Sequence, residues 1–215
     1  MNEKTIIKKN YFSQIINSTK ENIKSIIIFL FVIFLIFISY QVFNFYTLNK
    51  IRNNSIEFFN SQNFDNLNSL DATFIELSNE KNFYGILSKL ELIKINLNDN
   101  EYENVKVLYN DLLENNNLDN VYKSAIATKA AFEFIDINFT DLSKNYIKII
   151  ENFISFIDDE LTNYKGIKLE LNYLVNILDI EKNNLNYANN NEAIDLYNDI
   201  MNSDIASSIK ERTNK

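Results

Sequence analysis

Hydrophobic positions divide the chain into one long apolar run and a series of shorter amphipathic stripes. Between Ser25 and Asn49 no side chain is charged, and Ile26 to Ile38 is an unbroken series of large apolar residues. As a helix, Ile26 to Tyr46 spans roughly 31 Å at about 1.5 Å per residue, which matches a bilayer hydrocarbon core of about 30 Å. An isolated segment must be helical there, because lipid offers no partner to a free backbone N–H or C=O. Residues 25–46 therefore read as a retained signal anchor, with Ile26, Phe29, Phe31, Phe34, Ile36 and Phe37 in lipid. Tyr40, Phe43 and Tyr46 mark its far end, where amphipathic rings favour the headgroups. A buried core helix is disfavoured, since nothing else in the chain could cover it on every face. A cleaved signal peptide is disfavoured because no pair of small residues follows the run.

Beyond the span, residues 47–63 continue as a juxtamembrane helix or linker up to the polar break Asn60-Ser61-Gln62-Asn63. From there to residue 202, apolar residues recur at steps of three and four, the signature of amphipathic helices. Phe64, Leu67, Leu70, Phe74 and Leu77 form one stripe, and Phe83, Leu87, Leu90, Ile93 and Leu97 the next. Asn98-Asp99-Asn100 is a turn, after which Tyr102, Val105, Tyr109 and Leu112 begin another helix. Two helices joined so closely form an antiparallel hairpin.

The hairpin recurs. Residues 118–137 carry Ala125, Ala127, Ala130 and Ala131, small enough to let a neighbouring helix approach. Thr140-Asp141 is a candidate cap for the partner helix through Tyr146, Ile150, Phe153 and Ile157. A third pair runs over 164–181 and 191–201 with a longer loop at 182–190, and the polar tail 203–215 is expected to fray. Leu108-Tyr109-Asn110-Asp111-Leu112 is echoed by Leu196-Tyr197-Asn198-Asp199-Ile200, at the same place in equivalent second helices. Hairpins repeated in this way bury their apolar faces by stacking. The expected fold is all-α: one transmembrane helix followed by a helical-hairpin solenoid over 64–202.

Charge sets an orientation. Residues 1–24 hold five lysines against two glutamates, and the rest of the chain holds 16 Lys and Arg against 27 Asp and Glu. The basic flank favours a cytoplasmic N-terminus, with the domain across the membrane. Ile6, Ile7, Tyr11, Phe12, Ile15 and Ile16 share a helical face, so this flank is either a short amphipathic helix on the inner surface or an unstructured lead. The acidic domain is a poor partner for nucleic acid or anionic lipid surfaces.

With neither Cys nor His, the chain has no thiolate nucleophile, imidazole base or Cys/His metal site. Two glycines, Gly85 and Gly166, are too few for a phosphate loop. Asp158-Asp159-Glu160 lacks the spacing of a calcium loop and reads as a solvated turn. No cofactor is expected. Gly85, inside a helix, is explained by close packing against the preceding helix. Tyr84, Tyr102, Tyr109, Tyr122, Tyr146 and Tyr197 suit either the core or the lining of a concave binding surface.

Two resemblances follow. In tetratricopeptide (TPR) repeats the second helix opens on a small or β-branched residue, with an aromatic four residues on and a small apolar residue three later. Val105-Tyr109-Leu112 and Ala193-Tyr197-Ile200 resemble this, while the Trp, Gly and Tyr signature of the first helix is not met. The segments from Asn79 to Leu92 (NEKNFYGILSKLEL) and Leu97 to Glu103 (LNDNEYE) are similar to the YfgM-type family of ancillary SecYEG translocon subunits, with Ser88 where that family has Ala. The resemblance implies a single-pass inner-membrane protein with a periplasmic TPR-like domain. Its partners would be the bilayer, translocon subunits, chaperones and exported polypeptides, and its role non-enzymatic. Gly85, Leu90, Val105, Tyr109, Leu112, Ala130, Ala193, Tyr197 and Ile200 would pack the repeats. The alternatives are a helical-bundle sensor ectodomain, for which a 24-residue cytoplasmic flank is short, or a general periplasmic scaffold.

Overall fold

A computed structural model describes residues 22–62 and 67–214, which are helical apart from their connections and contain no strand. The proposed amphipathic face between Ile6 and Ile16 lies outside the described residues, as do Asn63 and Phe64. The chain divides into two compact units, Met1–Asn63 and Phe64–Lys215.

The described part of the first unit is one helix, α1 (Ile23–Ser61). At about 1.5 Å per residue its 39 residues extend roughly 58 Å, well beyond a bilayer core. It is long and apolar enough to cross a membrane, with a mean hydropathy of 2.9 over its most apolar window and none of that window buried. Two of its hydroxyls turn back on its own backbone: Ser39 Oγ donates to the Leu35 carbonyl at 2.8 Å and Thr47 Oγ1 to that of Phe43 at 3.0 Å.

The second unit contains α2 (Leu67–Ser78), α3 (Phe83–Asn98), α4 (Tyr102–Leu113), α5 (Asn120–Thr140), α6 (Ile147–Ser155), α7 (Thr162–Lys182), a 3₁₀ turn (Tyr187–Asn189), α8 (Asn191–Asn202) and α9 (Ser207–Thr213). Successive helices pack as pairs: α2 with α3, α3 with α4, α5 with α6 and α7 with α8. The pairs join where α4 meets α5, α5 meets α7 and α6 meets α7. Their shared core contains Ile93, Val105, Tyr109, Leu112, Ala127, Ala130, Ala131, Phe134, Ile150, Phe153 and Leu171, all nearly inaccessible. The alanines of α5 let its neighbours approach, and an aromatic chain fills the centre.

Asparagine takes over the turn chemistry that glycine usually supplies. Asn100 and Asn184 sit in the left-handed region, at φ 60° and 51°. After each, the next N–H reaches back across the helix end, Glu101 to the Asn96 carbonyl at 2.8 Å and Leu185 to that of Ile180 at 2.9 Å. Asn tolerates this conformation better than other residues with a Cβ, so α3 and α7 both close with a Schellman motif. Asn82, Asp119 and Asn190 cap α3, α5 and α8 by accepting from first-turn N–H groups.

Three expectations are corrected. The α3 stripe is rotated: Gly85, Ser88, Leu92 and Ile93 are buried, and Phe83 is 62% exposed. Two packing partners, α2 and α4, compete for the helix, so its buried arc is wider than one stripe. Asp141 does not cap α6; its carboxylate accepts from Ser143 within the preceding turn. Buried Asn138 accepts from the N–H of Tyr146 at 2.9 Å and donates to the Lys144 carbonyl at 3.0 Å, holding that turn against the end of α5.

The third correction concerns the tail, which folds as α9 against α7 and α8. Ile209 is buried, and its side chain meets Gly166, where an added Cβ would lie 2.9 Å from Ile209 Cδ1. Arg212 grips Glu170 through two hydrogen bonds, at 2.7 and 2.6 Å. Removing one partner of a fully buried pair costs about 3–5 kcal/mol, and the half-exposed Arg212 lowers that to roughly 2 kcal/mol here. Arg212→Ala, which strands the buried carboxylate, is expected to destabilise more than Glu170→Gln, which leaves a guanidinium able to turn to water. Hydrogen exchange over residues 203–214 should quicken first in the Arg212 variant; equal effects of the two substitutions would refute this asymmetry.

Candidate functional site

Helices α3, α5 and α7, the first members of their pairs, carry two clefts that flank α5. The first, of about 430 Å³, has a floor of Leu90, Leu97, Ala125 and Ile126 and a rim of Glu91, Lys94, Lys129 and Glu133. The second, of about 390 Å³, is lined by Phe132, Ile135, Phe139, Tyr173, Leu174 and Ile177, with Asp136, Glu170 and Arg212 at its polar edge. On α5 the two linings meet along Lys129, Phe132, Glu133 and Asp136, which lie at helical spacings of three and four and so share a face. Together the clefts offer apolar floors with charged rims, the usual composition of a surface that takes up a chain segment.

The rim charges of the first cleft are spent internally. Lys129 Nζ donates to one oxygen of Glu133, and the Tyr109 hydroxyl, reaching out of the core, donates to the other. Lys94 stands 3.7 Å from Glu91. In the second cleft Arg212 neutralises Glu170. Asp136 differs: among the described residues its carboxylate has no ion pair, and burial, followed by the charge of Glu133, raises its pKa above the usual carboxylate value. A cation placed there would meet the Asp136 carboxylate one turn from Glu133, whose own charge is already engaged.

Tyr109 joins the core to this rim. Burial first, then its bond to Glu133, pushes its pKa far above the ordinary 10.0. A folded-state pKa raised in this way stabilises the fold fully below pH 10, and that contribution is lost as pH rises further. Tyr109→Phe is expected to cost about 1 kcal/mol at neutral pH through the lost hydrogen bond. Thermal melts at pH 9 and pH 11 should show a smaller alkaline drop for the variant. Some drop remains, because burial also raises Tyr173.

The residues expected to pack repeats fall into two groups. Val105, Tyr109, Leu112, Ala130, Ala193 and Ile200 are fully or almost fully buried, and Gly85 is buried against the α2–α3 turn. Leu90 instead half-lines the first cleft. Tyr197 is half-buried, its hydroxyl donating to Asn214 Oδ1 at 2.6 Å beside the ring of Tyr173. The echoed tyrosines therefore differ in place, Tyr109 in the core and Tyr197 against the C-terminal segment. Tyr122 is exposed, while Tyr102 and Tyr146 stack edge to face, with Lys144 over the Tyr102 ring at 4.0 Å. Sequence reasoning missed Phe132, Asp136, Phe139 and Leu174; an acidic residue beside aromatics on the alanine-rich helix was the available signal.

The acidic turn makes structural bonds. Asp158 accepts from the Glu160 N–H at 3.1 Å and from Asn120 Nδ2 at 3.3 Å, and Asp159 pairs with Lys168 at 3.5 Å. No cluster of three or more metal-ligating side chains occurs among the described residues. Comparison with protein-family models, with curated proteins and with solved structures finds no match for this chain.

Proposed function

We propose that this chain is a membrane-anchored, non-enzymatic module with a TPR-like stack of hairpins, which holds segments of other polypeptides in the clefts along α3, α5 and α7. The observation that carries the reading is the pair of apolar-floored clefts flanking α5, whose rim charges are largely neutralised by neighbouring groups. An extended or helical client would bury its apolar side chains on Leu90, Ile126, Phe132 and Leu174, and a Lys or Arg would face Asp136. Attachment through α1 confines the module to the bilayer plane and raises its effective concentration near membrane partners. With its N-terminus cytoplasmic and its acidic domain periplasmic, as the basic flank favours, it would stand beside the Sec translocon. It would pass emerging polypeptides to chaperones, the role implied by the YfgM-type resemblance of residues 79–103.

Photo-crosslinkers placed at Ile126 and Leu174 in membranes test this. Adducts with translocon subunits, chaperones or exported chains are expected, weakened by Asp136→Lys. Adducts made only of other proteins would remove the export role, and adducts no more frequent than at the exposed control position Val107 would remove the cleft as a binding surface.

A further inference from the structure

We propose that α1 pairs in parallel with α1 of a second copy of this chain, along a stripe centred on Gln41 and Asn44. The pairing rests on α1 lying in a membrane but is independent of what the clefts bind.

Lys24 and Lys50 are the charges that bound the apolar stretch, and a hydrocarbon core of about 30 Å takes about 20 helical residues. Set as far toward the N-terminus as Lys24 allows, that window starts at Ser25 and reaches Asn44. Any slide toward Lys50 carries Gln41 and Asn44 deeper. Gln41 therefore lies about three residues inside the far edge of the core or deeper, among the Tyr40, Phe43 and Tyr46 rings that reach for the headgroups, and Asn44 is at that edge or within it.

Chemistry follows. Ser39 satisfies its hydroxyl on its own backbone, at 2.8 Å from the Leu35 carbonyl. The two carboxamides form no hydrogen bond among the described residues, and both project from an exposed part of α1. Lipid cannot satisfy them. Amide side chains in a span are met by hydrogen bonds from another helix. A carboxamide carries both donor and acceptor and so is its own complement. Copies of a single-pass chain insert in the same direction, which brings Gln41 opposite Gln41 at equal depth without need of any other partner.

The surroundings suit a pair. Phe34, Phe37, Gln41, Asn44, Leu48 and Ile51 recur at steps of three, four, three, four and three, the seam of a left-handed helix pair. The opposite side bears Val32, Ser39, Phe43 and Tyr46, with a shallow notch at Ser39 and no unsatisfied amide. Single polar residues at seam positions fix register and partner number, and two on consecutive turns would specify a parallel alignment.

The chain has no cysteine, so single substitutions give a clean readout in native membranes. Phe37→Cys and Leu48→Cys full-length chains should form disulfide-linked dimers under mild oxidation, and Val32→Cys and Ser39→Cys chains should not. Adding Gln41→Leu with Asn44→Leu should lower the dimer-to-monomer ratio roughly tenfold, a loss in keeping with two modest interhelical hydrogen bonds. Both leucines favour insertion, so the anchor is retained. Membrane-integrated protein that dimerises equally on both faces, or only with other proteins, overturns the pairing and leaves the membrane reading standing. Release of the unmodified protein by alkaline carbonate overturns both.

Discussion

Phe134→Ala is expected to lower the stability of the helical unit by about 3–5 kcal/mol, the range for truncating a buried aromatic. Phe134 is fully buried on α5, its ring 5.1 Å from that of Tyr146 and 5.5 Å from that of Phe153, both edge to face. Phe153 in turn meets Tyr109 at 5.7 Å. The ring thus ties α5 to α6, to the preceding turn and, through Phe153, to α4. Its loss opens a cavity that three separate elements would have to close together, and the turns before α4 and α6 are held by Asn100 and Asn138. Against a typical stability of about 5–15 kcal/mol this is a large fraction. The midpoint of thermal unfolding of the full chain in detergent should fall on the order of 10 °C. Phe83→Ala, 62% exposed at the start of α3, is the control and should change stability by no more than about 0.5 kcal/mol. Equal effects would mean that the aromatic chain is not the centre of the core.

Gly85→Ala is expected to destabilise strongly, against its helix propensity. Alanine within a helix is favoured over glycine by up to about 1 kcal/mol. At this site, however, a Cβ would stand 2.0 Å from the Glu80 carbonyl oxygen and 3.2 Å from that of Leu77. Both are backbone atoms, Glu80 in the α2–α3 connection and Leu77 in the last turn of α2, so relief means moving the turn rather than rotating a side chain. Moving it strains the Asn82 cap, whose oxygen accepts from the N–H groups of Tyr84 and Gly85, and the Glu80 N–H bond to the Leu77 carbonyl. Overpacking costs about 1–3 kcal/mol and loss of a cap about 1 kcal/mol more. The clash therefore wins, with a net loss of about 1–3 kcal/mol after the propensity gain of alanine is subtracted. Fast hydrogen exchange should spread over residues 74–88 while α6 and α7 stay protected. A variant as stable as the parent chain would show that the turn can yield.

These two positions were not equally legible in the sequence. Gly85 could be singled out because glycine in a helix is costly and the chain has two in all. Phe134 could not, since with 17 phenylalanines aromatic content does not distinguish the ring at the centre from one at the surface. Phe83 had the better stripe and is exposed. The α3 stripe misled because helix periodicity reports an apolar face but not which neighbours compete for it.

The tail misled for a related reason. Ser207–Thr213 holds one large apolar residue, too few for a periodic signal, yet Ile209 meets the space left by Gly166 and Arg212 finds a buried carboxylate 42 positions earlier. The clefts were hidden likewise. Leu90 on α3 and Ile126 on α5 line one hollow only because the stacked hairpins set these helices on its two sides.

What the sequence determined alone is whatever depends on near neighbours in the chain. The charge-free run became a long exposed helix, since apolarity and helix length are local properties. The steps of three and four became helices, and the Asn-rich segments became caps and left-handed turns, because a short amide side chain bonds its own backbone. Tertiary structure decided what depends on distant residues: which stripe is buried, that Tyr109 enters the core while Tyr197 holds the C-terminal segment, and that Asp136 is left without an ion pair among the described residues, beside an apolar cleft. Burial and charge pairing are settled by residues meeting across the stack, and no spacing along the chain encodes that meeting.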